Sequence, residues 1–152
     1  MRWLVTGVSG FLGANAARVL GADAEVVGLS RSGQPLPWCS QVVAADLQDS
    51  SSLAAAVRGV EPDVVLHCAA LADHRACEED EAAAMSINAD ASGVLASAAA
   101  SVGVGFVYVS TDAVFSGERG WYAEDESVSP INAYGRSKAA GEETVRAAHA
   151  SA

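Results

Sequence analysis

Short apolar runs alternate along the chain with longer, alanine-rich stretches in which apolar residues recur at helical spacing. A rhythm of strand then helix predicts a parallel sheet joined by crossover helices. The runs predict five strands, at Trp3–Thr6, Glu25–Leu29, Gln41–Ala45, Val64–Cys68 and Phe106–Ser110. The longer stretches predict helices over 12–21, 50–58, 80–101 and 133–148, with Asp49, Ser50 and Ser51 as caps for the second. Val64, Val65 and Leu66 are apolar on successive residues, so that strand is covered on both faces. The expected fold is therefore α/β, a doubly wound Rossmann-type parallel sheet in the order 3-2-1-4-5. One long connection, Thr111–Asn132, interrupts the rhythm and carries glycine, acidic residues, Trp121, Tyr122 and Pro130. Connections of that length are usually functional or disordered.

Composition narrows the picture. A chain of 152 residues is long enough for one domain with one core. Half of it is hydrophobic and little of it aromatic, which suits small-residue helices packed on a valine-rich sheet. A net charge of −10 leaves no basic stripe to neutralise phosphates, so nucleic acid is excluded as a partner. Three cysteines, Cys39, Cys68 and Cys77, lack the number and spacing of a disulfide framework and point to a reducing cytoplasm. The apolar stretch after Met1-Arg2 ends at Gly7, too short for a signal peptide or a membrane span. The expectation is a cytoplasmic protein that does not engage a membrane.

The first candidate chemistry follows the first strand. Gly7, Ser9, Gly10, Phe11, Leu12 and Gly13 form the turn Thr-Gly-x-x-Gly-x-x-Gly directly before a helix. Glycines there permit a tight turn and let the backbone approach a pyrophosphate, while the helix N-terminus faces the anion. Dinucleotide binding is the expected role. At the end of the second strand an NAD protein carries an acid for the ribose hydroxyls. This chain has Ser30 and Arg31 instead, a pair suited to a 2′-phosphate, which favours NADP while leaving NAD possible. The competing reading is an arginine in a solvated loop. Asp46 and Leu47, after the third strand, are placed to meet the adenine edge, although Asp46 is equally suited to cap the next helix.

The chain contains a single lysine, Lys138, four residues after Tyr134. On a helix over 133–148 that spacing sets the two side by side on one face. A compact ammonium can bond a ribose and favour a neighbouring phenolate in a way that a guanidinium cannot. Thr111 stands at the end of the fifth strand, where ligands bind in open α/β sheets. Taken alone, the pair also fits plain helix surface and the threonine a strand-end cap.

Four segments in order carry a family resemblance: the glycine turn, Ser110-Thr111-Asp112-Ala113-Val114-Phe115-Ser116-Gly117, Tyr122-Ala123-Glu124-Asp125, and Pro130-Ile131-Asn132-Ala133-Tyr134-Gly135-Arg136-Ser137-Lys138-Ala139-Ala140-Gly141-Glu142. Together they resemble the extended short-chain dehydrogenase/reductases, and within them the dTDP-4-dehydrorhamnose reductase-like, sugar-nucleotide-binding family. The resemblance implies an NADP(H)-dependent reductase of a 4-keto nucleotide sugar, with Tyr134 as proton donor, Lys138 as ribose ligand and phenol activator, and Thr111 polarising the carbonyl. It implies cofactor contacts from Cys68, Ala69 and Ala70 after the fourth strand, and from Tyr134 and Lys138 themselves. Asn88 matches the helix asparagine that often completes such sites; the alternative is an amide bonding a kinked helix. Cys68 stands where relatives often have an amide, and Arg75 where they often have an acid. Zinc is not expected, because His67, Cys68, His74 and Cys77 lack paired ligand dyads.

The resemblance also implies a sixth strand and a substrate domain outside these residues. Residues 1–152 are thus expected to be the cofactor half, truncated before the substrate domain, with apolar surface that favours self-association into a homo-oligomer. Two other readings stay open. One is a nucleotide-sugar epimerase or dehydratase. The other is a non-catalytic cofactor-binding module resembling the regulatory subunit of methionine adenosyltransferase.

Overall fold

The central strand, β1 (Arg2–Thr6), pairs on one side with β2 (Glu25–Ser30) and on the other with β4 (Val64–His67). β3 (Gln41–Ala44) and β5 (Gly105–Tyr108) complete a five-stranded parallel sheet in the order β3-β2-β1-β4-β5, as expected. The computed structural model describes residues 1–152. Register brings Thr6 beside both Leu29 and His67, so the ends of the three middle strands meet at one level.

Alternation across the pleat explains why the strands are apolar at successive positions. Leu4 and Val5 are both fully buried, on opposite faces. Leu4 joins Leu29, Leu53, Val65, Leu95 and Phe106 in the larger core. Val5 joins Val8, Ala17 and Val26 in a smaller one, edged by Leu20 and Trp38. Each such side chain contributes roughly 1.5–3 kcal/mol when taken fully from water.

The helices follow their caps. α1 (Phe11–Leu20) starts at Gly10 with no side-chain cap. α2 (Ser50–Val60) is capped by Asp49, whose carboxylate accepts the Ser51 and Ser52 amides; of the three expected caps this one takes the role. α3 (His74–Glu79), capped by Asp73, was not foreseen, since six residues give no apolar period to read. The helix expected over 80–101 is a continuous rod of three parts: α4 (Glu81–Met85), a π-helical turn (Ser86–Asp90) and α5 (Ala91–Ser101). The wider turn frees carbonyls that side chains then fill. The Asn88 carbonyl accepts from the Ser92 hydroxyl (2.8 Å) and the Tyr108 hydroxyl (3.2 Å), and the Ala89 carbonyl from Thr144 (3.0 Å).

α6 (Ala133–Ala148) matches its expected bounds and begins at Asn132, which accepts the Gly135 amide. Three strands, β3, β4 and β5, stop one or two residues sooner than expected, where the chain leaves the sheet to form the loops above it. The Thr111–Asn132 connection opens with a 3₁₀ turn (Asp112–Val114) and stacks Phe115 on Tyr122. No helix is long and apolar enough to cross a membrane.

α6 docks on the π-helical turn through Gly141. A Cβ there would lie 2.3 Å from the Tyr108 hydroxyl and 2.6 Å from the Asn88 carbonyl. Gly141→Ala is therefore expected to destabilise the fold by about 1–3 kcal/mol in urea denaturation, despite the better helix propensity of alanine. In a Tyr108→Phe background the added cost should shrink, because the nearer obstacle is gone.

Candidate functional site

The glycine turn is held by two close approaches. Gly7 has φ of 67°, and a Cβ on it would come within 2.8 Å of the Ala69 backbone. A Cβ on Gly13 would lie 2.4 Å from the Gly7 carbonyl oxygen. β1, the loop after β4 and the start of α1 therefore meet with no side chain between them. Since α1 has neither a side-chain cap nor an acid in its first turn, the amides of its first residues are free for an anion.

Two cavities open on either side of this junction, and both are lined by Gly7 and Ala70. The first, about 280 Å³, brings together Gly7, Ser9, Ser30, Arg31, Asp46, Leu47, Ala69 and Ala70. The second, about 350 Å³, brings together Gly7, Gly10, Phe11, Leu12, Gly13, Cys68, Ala70, Thr111, Tyr134 and Lys138. Every site residue expected from the sequence lines one of the two except Asn88. Sequence reasoning missed Gln48, Leu71, Ile87, Ala72, Val109 and Ser110 as lining residues. Several are immediate neighbours of expected ones, so the carboxyl ends of the strands were the available signal. The largest cavity, about 1140 Å³, lies between β5 and the long connection and reaches Thr111 from the other side.

In the first cavity, one alternative left by the sequence is decided. Asp46 caps no helix: its carboxylate accepts the Gln48 amide (3.0 Å) in a turn, and Asp49 caps α2. The Ser30 hydroxyl accepts the Gly33 amide (3.2 Å), while Arg31 is exposed at the cavity edge. No acid stands at the end of β2, and the carboxylate that shares this cavity with Arg31 is that of Asp46.

Asn88 is placed behind the wall. It is 1% exposed, and its side chain accepts the Leu71 amide (2.7 Å) while donating to the Leu71 carbonyl (3.0 Å) and the Ser137 hydroxyl (2.9 Å). With these bonds made internally, the amide holds Leu71 and the helix bearing Tyr134 and does not itself line either cavity. It sits in the π-helical turn, but its side chain bonds Leu71 and Ser137 rather than a carbonyl of the kinked helix.

Lys138 is only 2% exposed, yet it faces the second cavity. Its ammonium donates to the Val109 carbonyl (2.7 Å) and lies 3.9 Å from the centre of the Tyr108 ring. Burial pushes its pKa down to about 8, against the opposing pull of Glu142 and Cys68. Glu142 is itself held by the Ser110 hydroxyl at 2.5 Å.

The Tyr134 phenol lines the same cavity. Burial raises its pKa, with smaller upward pushes from Cys77 and Asp112, and the Thr111 hydroxyl works the other way. The Lys138 ammonium is turned toward the Val109 carbonyl and the Tyr108 ring. The ring packs on the His74 imidazole, centroids 4.8 Å apart. Thr111 caps the 3₁₀ turn by accepting the Ala113 amide (3.2 Å), so it combines a strand-end cap with a place in the cavity.

Because Lys138 is the only lysine, its side chain gives a single signal in lysine-labelled protein. The expected titration midpoint by NMR is about 8, and lower in Glu142→Gln, which removes a stabilising negative charge. A midpoint near the free-lysine value of ~10.4 would contradict the buried placement.

Comparison with known proteins identifies the family. Residues 1–152 match the family described as RmlD substrate binding domain. A dTDP-4-dehydrorhamnose reductase of Burkholderia thailandensis is 42% identical over 143 residues, covering 93% of this chain and 44% of that protein. Methionine adenosyltransferase 2 subunit beta of Pongo abelii is 36% identical over 147 residues, covering 95% and 42%. The crystal structure of dTDP-4-dehydrorhamnose reductase from Bacillus anthracis, in complex with NADP, superposes with a TM-score of 0.85 at 30% identity, covering 99% of this chain and 50% of that one. The chain thus spans about half the length of the curated relatives it matches. With sequence match and fold in agreement along its whole length, the chain belongs to the RmlD substrate binding domain family.

Proposed function

We propose that residues 1–152 serve as the cofactor-holding domain of an NADP(H)-dependent reductase of the short-chain dehydrogenase/reductase type, acting on a 4-keto nucleotide sugar. The observation that carries this reading is the second cavity, where Thr111, Tyr134 and Lys138 line the same space as the glycine turn. The chain's own residues fit a dinucleotide: an uncapped helix start for the pyrophosphate, a backbone cradle at Gly7, and Ser30 with Arg31 for a ribose phosphate. The preference for NADP over NAD rests on that arginine and on the lack of an acid at the end of β2.

Bound NADPH would supply the hydride for a carbonyl carbon. Thr111 and Tyr134 then orient the carbonyl oxygen, and Tyr134 delivers the proton. Burial keeps the Tyr134 phenol in the protonated form that a donor needs, while making it a weaker acid, so proton delivery relies on the charge that develops on the carbonyl oxygen. Lys138 adds a cation for the ribose. Below about 8 it is charged and above it neutral, so cofactor affinity is expected to weaken as pH rises through that value.

A second reading, a non-catalytic cofactor-binding subunit, is supported by the likeness to methionine adenosyltransferase 2 subunit beta. Tyr134→Phe separates the two. For a reductase, turnover of a dTDP-4-keto-6-deoxy sugar by the enzyme that joins this domain to a substrate domain should drop by ~10²- to 10⁴-fold with NADPH affinity retained. A variant as active as the parent would end the proposed mechanism. Absence of NADPH binding to the parent chain at high micromolar cofactor, read by nicotinamide fluorescence, would end the cofactor assignment.

A further inference from the structure

Between the two cavities and the core runs a chain of buried polar groups that the proposed reaction does not use. The Ala69 amide donates to the Thr6 hydroxyl (3.1 Å), and that hydroxyl meets His67 Nδ1 at 2.6 Å. On the far side His67 Nε2 meets the Ser92 hydroxyl at 2.9 Å, and Ser92 donates to the Asn88 carbonyl at 2.8 Å. Thr6, His67 and Ser92 are all fully buried.

Only one proton arrangement satisfies every member. Ser92 spends its single proton on the Asn88 carbonyl, so it accepts from His67, and Nε2 carries the hydrogen. Nδ1 is then bare and takes the Thr6 proton, which leaves the Thr6 oxygen free for the Ala69 amide. A second proton on the ring would strand the Thr6 hydrogen in a dry interior. Burial, helped by the nearby Lys138 charge, accordingly pushes the His67 pKa down to about 3. The remaining neighbours, Phe106 and Tyr108, lie with ring centres 6.1 and 5.8 Å away and offer no carboxylate.

Both ends of this chain hold the wall of the cofactor site. Ala69 and Ala70 face the first cavity, and Ala70 also faces the second. Ala69 leaves no room for a Cβ on Gly7. At the other end, Asn88 fixes Leu71 through both its backbone groups and reaches Ser137 on the Tyr134 helix.

We propose that neutral His67 is a positioning residue for the dinucleotide site: through Thr6 it sets the Ala69 amide, and through Ser92 it sets the π-helical turn that fixes Leu71. This rests on the cofactor reading above for its functional meaning. The geometric part stands apart from it.

The test uses the chain of 152 residues, with amide hydrogen exchange and NADPH fluorescence as readouts. In His67→Leu, the Ala69 amide should lose about tenfold or more of its protection, while the sheet amides of Val65 and Leu66, in β4 between β1 and β5, hold theirs. NADPH affinity should fall about tenfold or more in step. His67→Asn, which keeps an acceptor at the Nδ1 position, should recover most of the Ala69 protection. If the leucine variant does not fold, Thr6→Val cuts the same link from its far end and carries the same expectation.

Unchanged Ala69 protection, or a uniform loss across Ala69, Val65 and Leu66, would overturn the positioning role. So would full NADPH affinity in a variant whose Ala69 amide has been released. If the parent chain binds no NADPH, the proposed function fails, and the exchange comparison still decides whether His67 holds the wall.

Discussion

Everything at the carboxyl end of the sheet depends on one close approach of backbone to backbone, Gly7 against Ala69. Two strands that neighbour each other in the sheet send their loops over the same few cubic ångströms, and any side chain on Gly7 would force them apart. Because they touch, the two cavities share Gly7 and Ala70, and groups far apart in sequence line adjoining space. The rest of the architecture maintains that contact. Leu4 and Val5 anchor β1 from both faces, and α1 starts close enough for Gly13 to press on the Gly7 carbonyl.

The electrostatics of the second cavity follow from dryness more than from charge pairing. Burial acts in opposite senses on the two ionisable groups, pushing the Tyr134 phenol up and the Lys138 ammonium down, so each is drawn toward its neutral form. Glu142, held by Ser110 and Arg146, partly restores the positive charge on Lys138. Near neutral pH, below its pKa of about 8, Lys138 still carries most of its charge, and with the phenol protonated it is the positive group of the cavity.

How much of this could be read from residues alone depended on the range of the interaction. The glycine turn, the Asn132 cap and the Tyr134–Lys138 spacing are local, and each has a short sequence signature, so strand order, helix α6 and the lining of both cavities were legible. The π-helical turn was not, since one extra residue in a helical rod barely disturbs the apolar period. Nor was the inward turn of Asn88, which is decided by Leu71 and Ser137, 17 and 49 residues away. The direction of the Lys138 ammonium likewise depends on a carbonyl of β5's exit loop and a ring on β5, neither implied by an i, i+4 spacing.

The burial of the one lysine has a chemical consequence for the whole molecule. All other basic side chains are arginine or histidine, and Lys138 is almost wholly enclosed. The exterior therefore displays no side-chain primary amine, and acylating dyes, aldehyde crosslinkers and acetyl donors find their side-chain target only at the floor of the groove beside Tyr134. Anything lodged in that groove would shield it, so acylation of this single amine reports directly on occupancy.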